Sequence, residues 1–202
     1  MKILSKENLV EAVEIISNGG VIIYPTETTY GIGCDAFNQT AVNKIYEIKA
    51  RPKDKPVLVL VDSVAMARKY WQWNEYLEVL TDKYWPGALT IRALANEAGK
   101  KLAQGVVDVD DIIAIRFSAH PVARKLVELL GRPLVSTSAN IYGDKEIYDG
   151  KILQQTFSNR LAKPDALVDC GVLPFNLPST LIDVTGDELK ILRQGEVVIN
   201  IN

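Results

Sequence analysis

The chain has 202 residues, 48% of them apolar, enough to bury one sizeable core without calling for a second domain. Lys and Arg number 23 against 25 Asp and Glu, and the net charge of −2 with a pI near 5.5 provides no global cationic field for nucleic acid. A single histidine excludes a multi-histidine metal centre, Cys34 and Cys170 suit a reducing cytoplasm better than a disulfide framework, and no apolar run approaches the roughly 20 residues of a membrane span.

The N-terminal stretch, Met1 to Asn18, carries Lys2, Lys6, Glu7, Glu11 and Glu14 in a helical pattern, unlike a signal peptide. Ser5 is the expected N-cap of a helix with Leu9, Val10, Val13 and Ile16 on one face, ended by Gly19-Gly20. Val21 to Tyr24 reads as a short core strand closed by Pro25, which cannot donate to a ladder. Thr26, Glu27, Thr28, Thr29 and Tyr30 then precede Gly31 and Gly33. A polar turn is the plain reading of that segment, and a substrate cradle at a strand end is the functional one.

Thr40 opens a second helix with Val42, Ile45, Tyr46 and Ile48 inward, which ends near Lys49-Ala50-Arg51-Pro52. Lys49, Arg51, Lys53 and Lys55 follow closely, as a solvated basic turn or as cations aimed together at one ligand. Val57 to Val61 is a continuous apolar strand. Helices follow around Val64–Tyr70 and Glu75–Tyr84, then a Trp85-Pro86-Gly87 turn and a strand near Leu89–Ala93. The aromatic run Tyr70, Trp71, Trp73 and Tyr76 could stack bases, but an interposed Glu75 favours helix packing or a surface patch.

Asp111 to Phe117 reads as a strand interrupted by Arg116, whose guanidinium needs an anion or must leave the core. Its partner is either a substrate carboxylate or an internal one such as Asp110, Asp111 or Asp183. His120 precedes Pro121 at the start of a helix through Leu130, where capping is a better use for it than catalysis. Pro133-Leu134-Val135 leads into Ser136-Thr137-Ser138-Ala139-Asn140, whose donors suit phosphate or carboxylate oxygens. Tyr142 to Gly150 is the stretch most suited to flexibility. The tail holds strands near Leu167–Asp169, Thr180–Val184 and Leu189–Leu192, with Pro178-Ser179-Thr180 and Arg193-Gln194-Gly195 beside them. Strands and helices intermix, which predicts one α/β domain on a mixed sheet. No Walker loop is present, and Gly31-Ile32-Gly33 lacks the third glycine of a dinucleotide fingerprint. Arginines and hydroxyls at strand ends in an acidic chain point to a local pocket for a polyanion such as ATP.

These segments, from Tyr24-Pro25-Thr26-Glu27-Thr28-Thr29-Tyr30-Gly31 through Lys49-Ala50-Arg51-Pro52, Trp85-Pro86-Gly87, Ile115-Arg116, His120-Pro121, Ser136 to Asn140 and Pro178-Ser179-Thr180 to Arg193-Gln194-Gly195, occur in the order seen in the YrdC/TsaC family. The resemblance covers roughly residues 10 to 195. It implies a YrdC-like twisted mixed sheet, parallel and antiparallel, with flanking helices around a concave, positively charged pocket, in a single domain over residues 1–202. It also implies a threonylcarbamoyl-AMP synthase, which takes L-threonine, bicarbonate and ATP with Mg²⁺ and supplies the modification of tRNA beside the anticodon. Further proteins would transfer the group to tRNA, and an RNA contact is implied as well. By position, Thr28, Arg116, Ser136 and Ser179 look like the threonine site, and Arg51, Lys55, Ser138, Asn140 and Arg193 like ATP contacts. Lys49 and Arg51, the family's Lys-x-Arg pair, stand as the catalytic residues, and Ser138 with Asn140 as its Ser-x-Asn pair. Leu60 stands where longer relatives have a histidine, and Ile112 where some members have a hydroxyl. A YciO-type paralogue and an RNA-binding module without turnover are the alternatives.

Overall fold

The structure is a computed structural model, which describes residues 1–200. In chain order its elements are β1 (Lys2–Leu4), α1 (Leu9–Ser17), β2 (Ile22–Pro25), β3 (Tyr30–Gly33), α2 (Gln39–Lys49), β4 (Leu58–Leu60), α3 (Val64–Arg68), α4 (Glu75–Tyr84) and β5 (Leu89–Leu94). A 3-10 turn at Gly99–Lys101 follows, then β6 (Ile112–Arg116), α5 (Pro121–Leu130), β7 (Leu134–Ser138), α6 (Gly150–Ser158), β8 (Ala166–Val168), β9 (Thr180–Asp183) and β10 (Lys190–Arg193). The strands join into one ten-stranded sheet in the order β1-β8-β2-β3-β7-β4-β6-β5-β9-β10. Four pairs are parallel (β1/β8, β2/β8, β4/β6, β5/β9) and the others antiparallel, so the sheet is mixed as expected.

Packing explains the helices. α5 starts at Pro121 on the His120 cap and turns Val122, Ala123, Leu126, Val127 and Leu130 into the core, a 3.6-residue stripe. It packs against α1, β2 and β7. α2 is capped by Asn38, whose side chain accepts from the Ala41 amide, and it closes on Ala50 in the left-handed region. Expected inward residues Val42, Ile45, Tyr46 and Ile48 are all buried.

Several expectations need correction. The cap of α1 is Asn8 rather than Ser5, and Val10 lies on the exposed side because the buried set is Leu9, Ala12 and Ile16. α2 begins one residue before Thr40. Pro25 does not end the pairing early: it closes β2 opposite Tyr30, so the polar segment is a hairpin turn between β2 and β3. The helical pattern read from Met1 to Asn18 does not hold at its start, where Lys2–Leu4 form β1 beside β8, and β3 and α6 carry no separate expectation in the sequence. β3 holds two glycines, and Gly33 is needed because a Cβ there would sit 1.9 Å from the Val135 carbonyl of the neighbouring strand. α6 begins on a glycine for a similar reason, since a Cβ on Gly150 would meet the Asp169 carboxylate at 2.0 Å.

Candidate active site

Strand alternation builds the site. On β5, β6 and β7 the residues Ile91, Ile113, Ile115 and Val135 point into the apolar core. Their neighbours in sequence, Thr90 and Arg92, Ile112, Ala114 and Arg116, and Ser136, line a cavity of about 720 Å³ on the other face, joined by Thr137 and Ser138 at the end of β7. That volume falls within the usual range for a small-molecule site. Thr26, Thr28 and Thr29 of the β2–β3 turn, parts of the Arg51–Leu58 segment and the Val106–Asp110 loop, and the ends of β9 and β10 complete the wall. Val57 and Leu58 belong to that wall, while Val59, Leu60 and Val61 are buried, so the strand meets the cavity only at its start.

Of the residues singled out in the sequence, Thr28, Arg51, Lys55, Arg116, Ser136, Ser138, Ser179 and Arg193 all line this one cavity. Lys49 and Asn140 do not. Lys49 is 1% exposed and donates to the carbonyls of Ser138 and Asn140, the latter at 2.7 Å, and to the Asn140 side chain at 3.2 Å. Lys49 and Arg51 therefore do not aim the same way: Ala50 turns the chain at φ 49° between them. Burial, with the nearby Arg51 charge, pushes the Lys49 ammonium down to about 7.

Arg51 folds back on its own loop, donating to the Lys55 carbonyl at 2.8 Å and the Pro56 carbonyl at 3.0 Å, and its guanidinium lies 5.4 Å from the Tyr142 ring. Arg193 clasps the carbonyl of Ser179 with Nε at 3.0 Å and Nη2 at 2.8 Å, and reaches the Ser179 hydroxyl at 3.2 Å. That hydroxyl also lies 2.8 Å from Thr90 Oγ1. Ser138 donates to the Asn140 side chain at 2.6 Å.

Arg116 is 5% exposed. Nη1 donates to Thr28 Oγ1 at 3.2 Å and Nε to the Gly87 carbonyl at 3.3 Å. Its internal ion partner is not Asp110, Asp111 or Asp183 but Glu27, whose Oε1 lies 2.7 Å from Nη2. Nη2 itself has no aligned hydrogen bond, so the contact is an ion pair with N–H groups left over. Asp183 pairs with Arg92 at 2.9 Å, and Asp108 with the same arginine at 3.0 Å. Burial pushes the Glu27 carboxyl up, but the Arg116 charge beside it and the Ser118 hydrogen bond outweigh it and hold Glu27 below the usual carboxylate range.

His120 serves as a cap, its Nδ1 accepting from the Val122 amide at 3.2 Å, and burial lowers its pKa. The Cys34 thiol is pushed up by burial, which removes it as a nucleophile. Thr90 and Arg92 went unnoticed in the sequence although the signal was there: Leu89-Thr90-Ile91-Arg92-Ala93 alternates apolar and polar with period two. A second cavity, of about 530 Å³, shares Asp54, Pro56, Asp108 and Val109 with the first.

A protein-family model for Sua5, YciO and YrdC proteins, described as telomere recombination, matches residues 14–195. The chain belongs to this family. A threonylcarbamoyl-AMP synthase of Vibrio cholerae serotype O1 is 35% identical over 192 residues, covering 94% of this chain and 98% of the relative. The threonylcarbamoyl-AMP synthase of Pyrococcus abyssi is 32% identical over 188 residues, which cover 91% of this chain and 53% of the relative. The chain thus spans about half the length of that longer family member. The crystal structure of P. abyssi Sua5 complexed with L-threonine superposes with a TM-score of 0.88 at 30% identity, over 96% of this chain and 58% of that one. E. coli YciO superposes at 0.83 with 25% identity, over 96% and 94%.

Proposed function

We propose that this Sua5/YciO/YrdC protein is a threonylcarbamoyl-AMP synthase that joins L-threonine, bicarbonate and ATP and releases pyrophosphate. The observation that carries the reading is that Thr28, Arg116, Ser136 and Ser179 open onto the same cavity as Arg51, Lys55, Ser138 and Arg193. One group offers a guanidinium and hydroxyls to an amino acid, and the other offers cations to phosphates. The threonine amine and bicarbonate give a carbamate and water, and a carbamate oxygen then attacks the α-phosphorus as pyrophosphate leaves. The nucleophile comes from the substrates, so the protein has only to hold two anions together and neutralise charge. Arg51, Lys55 and Arg193 bear on the phosphates, and Arg51 is the residue proposed to stabilise the transition state. Lys49 and Asn140 act through the end of β7, whose carbonyls the Lys49 ammonium gathers.

Among the described residues no three His, Cys, Asp or Glu side chains converge to hold a metal ion, so Mg²⁺ enters this reading with ATP, as part of the substrate. Five cationic residues line the cavity (Arg51, Lys55, Arg92, Arg116, Arg193), but so do Asp54, Asp108, Asp110 and Glu146; the positive character we assign belongs to the Arg51–Lys55 and Arg193 side. The product would pass to proteins that modify tRNA beside the anticodon. A cytoplasmic setting fits the free thiols of Cys34 and Cys170, and no helix among the described residues is long and apolar enough to cross a membrane. Base stacking by the aromatic run is disfavoured, because Trp71 is 1% exposed, packs 5.8 Å from Trp85 and donates to the Ile113 carbonyl. The test is pyrophosphate release in ATP, Mg²⁺ and bicarbonate with and without threonine. Threonine-dependent release supports the reading, and release no greater than in the threonine-free control removes it.

A further inference from the structure

Glu27 sits in the first hairpin turn, remote in sequence from Arg116, and is absent from the cavity wall. Two donors hold its carboxylate and a cation stands beside it. Ser118 donates to Oε2, the Ala119 amide donates to Oε1 at 3.1 Å, and Arg116 Nη2 stands 2.7 Å from Oε1. Its backbone carbonyl accepts from Asn176 at 2.8 Å, which ties the turn to the segment leading into Ser179. A carboxylate in that position cannot rotate without abandoning two donors at once.

Guanidinium geometry gives the consequence. Arg116 has five N–H groups. One on Nε is spent on Gly87 and one on Nη1 on Thr28, while the Nη2 pair is held close to Glu27 without an aligned bond. The one remaining Nη1 N–H of a nearly buried arginine is thereby kept in a fixed plane at the cavity wall, and Glu27 faces the guanidinium charge when no ligand is present. We propose that Glu27 is a positioning residue for amino-acid recognition, acting through Arg116 to orient its free N–H toward the substrate carboxylate. The assignment rests on the functional reading above.

Glu27→Gln keeps the size of the side chain and removes its charge. The amide oxygen can still accept from Ala119 N–H, and the Ser118 hydroxyl can turn to accept from the amide nitrogen. The experiment is threonine-dependent pyrophosphate release by wild type and by Glu27→Gln, with KM for threonine and for ATP measured separately and melting followed alongside. The expected result is a KM for threonine raised at least tenfold, with KM for ATP within threefold. Calorimetric titration of threonine into Glu27→Ala supplies a second reading and should show an equal or larger loss. An equal rise in both KM values, an unchanged or lower KM for threonine, or a fall in melting temperature alone would each overturn the positioning role. A wild-type protein with no threonine-dependent release would overturn the functional reading, and this role with it; an active wild type with an unaltered Glu27→Gln would overturn only this role.

Discussion

Arg116 was legible in the sequence as a problem and not as a solution. A guanidinium within Ile112–Phe117 demands an anion, and the carboxylates that the sequence offered first were Asp110 and Asp111 beside it and Asp183 in a late strand. The structure supplies Glu27 from the first hairpin, because β6 and the β2–β3 turn meet at the cavity although far apart in the chain. A pairing of that kind is set by sheet order, which local pattern does not encode. Arg116→Lys should weaken threonine binding at least tenfold while ATP affinity changes no more than a few-fold, because a lysine cannot span Thr28, Gly87 and a carboxylate with one planar fork. Calorimetric titrations of each ligand decide it, and equal losses for the two would remove Arg116 from the threonine site. Arg51→Ala should cost roughly 2–4 kcal/mol of transition-state stabilisation, the scale of one preorganised donor. Some stability should go with it, since Arg51 also ties its loop to the Lys55 and Pro56 carbonyls. Turnover per folded molecule, compared with melting, separates the two effects.

Among the elements, α2 and the end of β7 are joined by Lys49, a buried lysine that the basic run Lys49–Lys55 disguises as one more surface cation. Its folded pKa is pushed down to about 7 by burial, against roughly 10.4 for a lysine in an unfolded chain. Between those values the unfolded chain holds a proton that the folded one has released, so stability rises with pH across that window, by at most about 1.4 kcal/mol per pH unit. Below pH 7 both states are protonated and the contribution is flat. The melting temperature should therefore climb between pH 7 and 8.5, before the cysteines and tyrosines titrate in the unfolded chain. In Lys49→Met the climb should disappear, with a loss of roughly 1–3 kcal/mol as the oxygens of Ser138 and Asn140 lose their donor. Parallel pH profiles for the two proteins would expose a failure of this account. Helices with a strong apolar stripe were readable throughout: α4 and α5 have the bounds expected from their sequences. What escaped were β1, three residues absorbed into the helical charge pattern of the N-terminus, β3, interrupted by glycines, and α6, whose first residue is a glycine chosen by the Asp169 side chain rather than by helix propensity.

For the whole molecule, period-two alternation divides the central strands into a buried apolar face and a face that forms the cavity, where Thr90, Arg92, Arg116 and Ser136 stand beside Ile112 and Ala114. The mixed α/β fold follows from intermingled strands and helices, and part of the cavity was named in the sequence, without Thr90 and Arg92 and with Lys49 and Asn140 that lie outside it, but the order β7-β4-β6-β5-β9 was not legible. The central claim is that this cavity holds threonine and ATP at once and that the nucleophile comes from the substrates. Its most direct test uses ¹³C-labelled bicarbonate with threonine and MgATP, and follows the label by mass spectrometry. The account predicts one labelled carbon in a threonine-containing adenylate, formed in step with pyrophosphate and lost when threonine is omitted. Pyrophosphate or AMP appearing with no labelled adenylate, or at the same rate without threonine, would contradict it.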